Sequence, residues 1–359
     1  MSELADAKRI NEMRVKLLKK ELIMPMDQSF FRACHCSTFV IADNGDYLVT
    51  FFAGEREGTA DNAIWMSRCV GGKKWVEPVI IQHDGTPHWN PVIFKNGHRL
   101  FVYFKLGPGV HDWISYYIYS DDNGYTWSER RLLCPEDPYS RGPVRNKIIR
   151  GRDGALLCPA SVETDTEFNC FVERSTDNGA TWTKCPIPIV HHELSPIDRD
   201  NVWEGLLSKE LWENDLEKIE RWDGVIQPSL WLGEGSNVHA FMRSTRGFIY
   251  RSDSTDGGVT WCEAYPTALP NNNSGLDVDR MDDGTLVLVS NPISGNWARR
   301  TPISISFSTD NGESFSEPLP LETIEGELSY PSVNACGKLI RITFTVKRRS
   351  FMYCECVIE

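Results

Sequence analysis

From about residue 25 onward the chain alternates apolar and polar residues in short runs. The runs are broken at close intervals by Asp-Gly, Asn-Gly and Gly-Gly pairs. A period of two punctuated this way predicts β-strands joined by tight hairpins. Helical spacing is confined to two places. Ile10, Met13, Leu17 and Leu18 recur among Lys and Arg. They predict an amphipathic N-terminal helix within residues 1–24 that packs on the body or joins a second copy of the chain. The stretch 203–221 is acidic and amphipathic, which predicts a helical insert over about 191–224, either a lid over a pocket mouth or a decorated loop.

Two internal repeats organise the strands. Ser120-Asp121-Asp122-Asn123-Gly124-Tyr125-Thr126-Trp127 recurs from Ser175 to Trp182, from Ser254 to Trp261 and from Ser308 to Phe315, and Ser67 to Trp75 is a decayed copy. The leading serines are 53, 55, 79 and 54 residues apart, and the insert accounts for the outlier. This motif suits a hairpin tip: Asp accepts backbone N–H groups, Gly takes the positive φ, and the aromatic ring packs beneath. A second repeat runs out of phase with the first. Six strand–turn–strand segments open at His35, Trp89, Arg145, Ile226, Asn273 and Ser329. Six copies predict an all-β, six-bladed β-propeller over residues 25–359, closed by pairing the last strand, near Phe351–Val357, with an early one near Leu22–Met26.

Composition narrows the partners. Fifty acidic against 38 basic residues give a net charge of −12. That balance argues against a nucleic-acid or anionic-membrane partner. No apolar run approaches the ~20 residues that span a bilayer, and the first nine residues lack an apolar signal core. Eleven irregularly spaced cysteines without a CxxC pair read as reduced thiols. Together these features lead to the expectation of a cytoplasmic protein. Neither a metal site nor a cofactor is expected.

The Ser-x-Asp-x-Gly-x-Thr-Trp repeat resembles the Asp box, or BNR repeat, of the sialidase (neuraminidase) superfamily. The resemblance implies a sialidase-like propeller, a glycan substrate and a set of catalytic positions. It places two arginines of the family's carboxylate clamp at Arg243, in Phe241-Met242-Arg243-Ser244, and at Arg300, eight residues before the Ser308 box. It places the nucleophilic tyrosine at Tyr330, in Glu327-Leu328-Ser329-Tyr330-Pro331, and the acid/base aspartate at Asp61. Two positions depart from the family. His35 stands where its first arginine belongs, and Gln227 where the glutamate that activates the tyrosine belongs.

Tyrosine has an ordinary pKa near 10, so attack on a sugar needs a partner that takes its proton. Gln227 cannot take a proton, whereas His35 can. Arg246, Arg348, Lys105, Asn90 and Asn146 complete the expected substrate-binding set. Lys147, Glu57, Glu163, Asp277 and Asn291 are further polar residues of the mouth, and Trp89, Trp113 and Trp297 are candidates to stack on sugars. The expected activity is exo-glycosidic cleavage of a terminal acidic sugar. Two alternatives stay open: a lyase performing β-elimination at a uronic acid with Tyr330 and His35, and a propeller that binds glycans or proteins without catalysis.

Overall fold

The computed structural model describes residues 13–192 and 197–359. The chain is all-β and propeller-like, but the six separate blades expected from the repeats do not form. The strands instead group into five hydrogen-bonded sheets. The first holds Ala33–Ile41, Tyr47–Gly54, Ala63–Val70 and Lys74–Trp75, with Val79–Gln82 paired to Ala63–Val70. The second holds His88–Asn96, Arg99–Leu106, Ile114–Ser120 and Arg131–Leu132. The fourth runs from Asp277–Arg280 through Leu286–Ser290 and Ile303–Ser308 to Leu319–Glu322.

The third sheet has eight strands where two blades were expected. Glu167–Ser175 lies parallel to Asp223–Leu232 through the pairs Glu167↔Asp223 and Phe168↔Gly224, which fuses two repeat units. Gly224 makes the junction possible. At φ +127° it approaches the Phe168 carbonyl so closely that an added Cβ would lie 2.1 Å from that oxygen.

The fifth sheet corrects a second expectation. Val15–Leu22 is a strand, not a helix, and pairs antiparallel with Ser350–Ile358 beside Leu339–Val346 and Leu328–Cys336. Cross-strand hydrogen bonding along this edge overrides the local helical spacing, and Leu17 and Leu18 remain exposed. The last strand does share a sheet with an early one, which lies at Val15–Leu22 instead of Leu22–Met26. The rest of the expected helix, including Ile10, lies outside the described residues.

The insert is also not helical. It contains two single turns, α1 (Glu204–Leu207) and α2 (Leu216–Ile219), within irregular chain. Tertiary burial shapes it: Trp203, Leu206, Leu211, Ile219 and Trp222 pack with Phe168, Ile226 and Trp297.

The Asp boxes form the hairpin tips at one end of the sheets. In the second sheet Leu100 pairs with Ser120 at the tip end, while Trp89 pairs with Lys105 at the opposite end. In each tip Ser Oγ accepts the Gly amide, as in Gly124 N to Ser120 Oγ at 2.8 Å, and the Asp carboxylate holds the following Thr or Ser. The Thr181 hydroxyl and amide pull Asp177 down to about 2. Tips also latch onto a neighbouring sheet: Asn123 Oδ1 accepts Asp43 N at 3.0 Å, and Asn311 Oδ1 accepts Trp231 Nε1 at 3.0 Å.

Candidate functional site

At the end of the sheets opposite the tips, the first strands of the second repeat begin with a kink. Register shifts between His35 and Thr38, Trp89 and Val92, Ile226 and Ser229, and Ser329 and Ser332 mark β-bulges. Each bulge carries a non-glycine residue with positive φ: Cys36 (61°), Asn90 (43°), Gln227 (56°) and Tyr330 (54°). Arg145 (76°) and Asn273 (55°) take the same backbone at the matching places of the repeat. A left-handed side-chain-bearing residue costs roughly 1–2 kcal/mol, and such strain clusters at functional sites. A bulge re-aims side chains that a regular strand would alternate between faces.

Tyr330 is the centre of this arrangement. It is 8% exposed, and its Oη accepts a hydrogen bond from Arg243 Nη1. The guanidinium carbons of Arg145, Arg243 and Arg300 lie 5.1, 5.6 and 5.6 Å from its ring centroid, and the His35 ring lies at 4.0 Å. Arg243 is fixed by Gln227 Oε1 at 3.2 Å and Asn273 Oδ1 at 3.0 Å. Arg145 donates to Asn146 Oδ1 and to the carbonyls of Leu276 and Pro331, which tie three sheets together. Neither Arg145 nor Arg243 has a carboxylate in ion-pair contact among the described residues.

Arg300 and Arg348 differ, because buried Glu327 joins them. Its Oε1 accepts Arg300 Nη1 and Ser329 Oγ, each at 2.6 Å, and its Oε2 accepts Arg348 Nε at 2.8 Å. Burial alone would raise the Glu327 carboxyl; Arg348 and Arg300 outweigh it and hold the group far below the usual carboxylate range. Arg348 also pairs with Glu57 at 2.5 Å. Four guanidinium groups therefore face two carboxylates, leaving an excess of positive charge around Tyr330. His35 Nδ1 bonds Thr345 Oγ1 at 3.0 Å, while Nε2 has no hydrogen-bond partner among the described residues and sits 3.9 Å from Glu327 Oε1. Burial, helped by Arg348, pushes the imidazole well below its ordinary value, so His35 is neutral at neutral pH.

Tyr330, His35, Gln227, Arg243, Arg300 and Arg348 thus lie together, and Asn146 braces them by donating to the carbonyls of Gln227 and Pro228 at 2.9 and 3.0 Å. Asn90 sits on its own bulge, buried. Three expected residues are engaged elsewhere. Arg246 is bidentate to Asp223 at 2.7–2.8 Å. Lys105, pushed down to about 8 by burial, donates to Ser115 Oγ at 2.7 Å and Gly142 O at 3.1 Å. Asp61 is exposed and accepts the Glu55 amide at 2.7 Å. Of the expected stacking residues, Trp89 is a core side chain bonded to Gly107 O, whereas Trp297 lies 5.7 and 5.9 Å from Arg243 and Arg300.

Sequence reasoning gave no role to Arg145, Glu327 or Trp203. Arg145 occupies the repeat position of Tyr330 and Gln227, so superposing the six segments would have singled it out. Trp203, from the insert, stacks 3.9 Å from the Arg300 guanidinium and 5.0 Å from that of Arg348. Its amide donates to Trp297 O at 2.7 Å, so two indoles roof the arginines. Glu163, at the end of Leu156–Glu163, is half-buried and feels Arg243, His111 and Glu57; burial pushes its carboxyl up to about 7.

Comparison with known proteins agrees with this architecture. Over residues 45–342 the chain matches the model of the BNR repeat-like domain. A sialidase from Clostridium perfringens is 32% identical over 85 residues, which are 20% of this chain and 22% of that protein. The match therefore spans about a fifth of that relative's length. Among solved structures, a protein of unknown function from Dyadobacter fermentans superposes with TM-score 0.71 at 14% identity, covering 96% of this chain and 99% of that one. A Hadza microbial sialidase superposes with TM-score 0.71 at 15% identity over 94% of this chain and 68% of its own. With its repeats, its fold and a family match over most of its length, the chain belongs to the BNR repeat-like family of the sialidase-like superfamily.

Proposed function

We propose that this protein is a carbohydrate-active enzyme of the glycoside hydrolase type that cleaves the bond to a terminal sugar carrying a carboxylate. The observation that carries this reading is Tyr330 on a strained bulge, with its oxygen on Arg243 and three guanidinium groups around its ring. Arg243 and Arg145, with no acid in ion-pair contact among the described residues, supply the attraction for the substrate's carboxylate, and Arg300 adds to the same field. Tyr330 Oη attacks the anomeric carbon and passes its proton to His35, while the bond to the leaving oxygen breaks and that oxygen takes the proton of Glu163. Water then displaces the tyrosine and gives up its own proton to Glu163, while His35 returns its proton to the tyrosine oxygen. Glu163 fits the proton-donor role better than Asp61, because a carboxyl near 7 is still protonated close to neutrality. Asp61 is exposed and tied to a turn amide.

A second reading is favoured by one specific observation: no carboxylate contacts Tyr330 Oη among the described residues, and the neighbouring His35 is neutral. That pair suits β-elimination, in which a base removes the proton α to a neutralised carboxylate and the leaving oxygen departs protonated.

A panel of sialosides and uronate-containing oligosaccharides tests both readings, using wild type and Tyr330→Phe in labelled water. Hydrolysis yields a reducing sugar carrying heavy oxygen, and elimination yields ultraviolet absorbance with no label. Equal cleavage by both proteins overturns the role of Tyr330. Melting shifts without cleavage anywhere on the panel overturn the enzyme reading in favour of a binding module.

A further inference from the structure

Beside the arginine cluster lies a separate cavity of about 440 Å³. One wall is the insert from Trp203 to Glu210, and the other is a set of loops next to the first and fifth sheets, around residues 32–33, 55–59, 326–327 and 347–349. Glu327, Arg348 and Trp203 belong to both places, so the cavity and the Tyr330 cluster share a partition. Six basic side chains line it against four glutamates: Arg32, Arg56, Lys209, Lys347, Arg348 and Arg349. That is an excess of two positive charges in a chain whose net charge is −12.

Two features mark this as a built site. First, the cations are not used up within the fold. Arg32 pairs with Glu55 and Arg348 with Glu327, but Arg56, Lys209, Lys347 and Arg349 have no carboxylate within ion-pair distance among the described residues. Arg56 and Arg349 are held instead by neutral carbonyls, those of Leu211 and Arg32. Second, the backbone is strained to present them. The turn between Leu339–Val346 and Ser350–Ile358 has two central residues of positive φ, Lys347 (50°) and Arg348 (52°), closed by Arg349 N to Val346 O at 3.0 Å. Such turns favour Asn-Gly or Gly-Gly, because bulky side chains resist this conformation. Here two cations stand in those places, one turned to the buried cluster and one exposed at the cavity. Lys209 is likewise left-handed, at 65°.

We infer that this cavity is a second subsite, which takes an anionic group, carboxylate or sulfate, on the sugar beyond the bond that is cleaved. The identity of the ligand rests on the carbohydrate reading of the Tyr330 site; the anion selectivity of the cavity does not. The substrate class is then an oligosaccharide with more than one negative charge, anchored by one acidic group at Arg243 and Arg145 and by the next across the Trp203 partition.

Calorimetry tests this without relying on turnover. The probes are tetragalacturonate for carboxylates, a κ-carrageenan tetrasaccharide, which has sulfates and no carboxylate, for sulfates, and maltotetraose as a neutral control. The proteins are wild type, Tyr330→Phe and Lys209→Gln/Lys347→Gln, whose lysine residues are exposed and whose ammonium groups have no hydrogen-bond partner among the described residues. At least one anionic probe binds wild type more tightly than maltotetraose, and its affinity falls steeply with salt. The double variant weakens that binding about tenfold, while Tyr330→Phe leaves it intact. Which anionic probe binds tells carboxylate from sulfate. Equal binding of neutral and anionic probes, no binding of either anion, or unchanged affinity in the double variant overturns the subsite. Anion binding that depends on the lysines, in a protein that cleaves nothing, sustains the subsite while removing the catalytic reading.

Discussion

The two ends of the sheets use the same backbone device for opposite purposes. At the tips Asn123 and Gly124, Asn178 and Gly179, and Asn311 and Gly312 take positive φ, and every copy carries nearly the same residues. Each tip carboxylate is engaged by hydroxyl and amide donors. At the other end the left-handed residue varies between copies, with only Asn used twice: Cys36, Asn90, Arg145, Gln227, Asn273 and Tyr330. There the polar atoms are not all engaged. His35 Nε2, Arg145 Nε and Arg300 Nε are buried without a partner among the described residues. Repetition with every turn carboxylate engaged is what a joint between sheets needs. Divergence with leftover hydrogen-bonding capacity and uncompensated charge is what a binding site needs.

The comparison breaks if the divergent end turns out to be inert. The largest expected effect is from Tyr330→Phe, which removes one oxygen. Loss of the nucleophile lowers kcat/KM about a thousandfold or more, with little change in melting temperature, because the ring keeps its packing. Next comes Glu163→Gln. A general acid is worth about 10²–10⁴ in rate, so cleavage of a sugar leaving group falls by that order. A nitrophenyl glycoside, whose leaving group needs no proton, retains its rate. In wild type the rate falls as pH rises through about 7, where the carboxyl loses its proton. Linkage predicts a matching stability effect. The folded protein holds this proton between the ordinary glutamate value near 4.5 and about 7, so the group costs stability as pH rises across that window. Glu163→Gln removes that slope. A pH profile with no alkaline limb near 7 removes Glu163 from the mechanism.

Glu327→Gln sharpens the contrast from the stability side. Glu327 holds Arg300, Arg348 and Ser329 in a buried network. Taking the charge from one member of a buried pair costs about 3–5 kcal/mol, and here Arg300 loses its carboxylate while Arg348 keeps only Glu57. Thermal unfolding should report the loss, and high salt should restore little of it, because the network is shielded from solvent. A melting temperature equal to that of wild type would show that water or rearrangement satisfies both arginines.

How much of this was legible follows from the same contrast. The Asp boxes could be read directly, because a turn held by its own side chains looks alike wherever it occurs. Tyr330, Gln227, Arg243 and Arg300 could be placed near one another because their positions are counted from those boxes. Arg145 could be singled out by its place in the second repeat but not by residue type. A lone arginine in a loop is ordinary until its burial and its three carbonyl or amide partners are known. Trp203 depends on where the insert folds back, which is decided by long-range packing against Phe168, Ile226 and Trp297. The fused third sheet rests on two residue pairs and the missing side chain of Gly224, and the strand Val15–Leu22 on a partner more than 300 residues away. Local periodicity carries no trace of either contact.

The smallest expected effect tests the inert end. Asp310 accepts the amides of Glu313 and Ser314 at 3.1 and 3.0 Å, and it holds the hydroxyls of Ser308 and Ser314. Removing such a cap costs about 1 kcal/mol, so Asp310→Ala should lower the melting temperature slightly. Burial opposes ionisation of this carboxyl, but its donors outweigh it and hold the group below the usual value. Its contribution is therefore present above the ordinary aspartate value near 3.8 and fades as pH falls through the lower folded value. The gap between wild type and variant should be constant from neutral pH to about 5 and close on further acidification. Activity should not change at any pH, because the tip lies at the far end of the strands from Tyr330. A change in kcat/KM in this variant, with stability unaffected, would mean that the tips communicate with the site, and the division of labour between the two ends would fail.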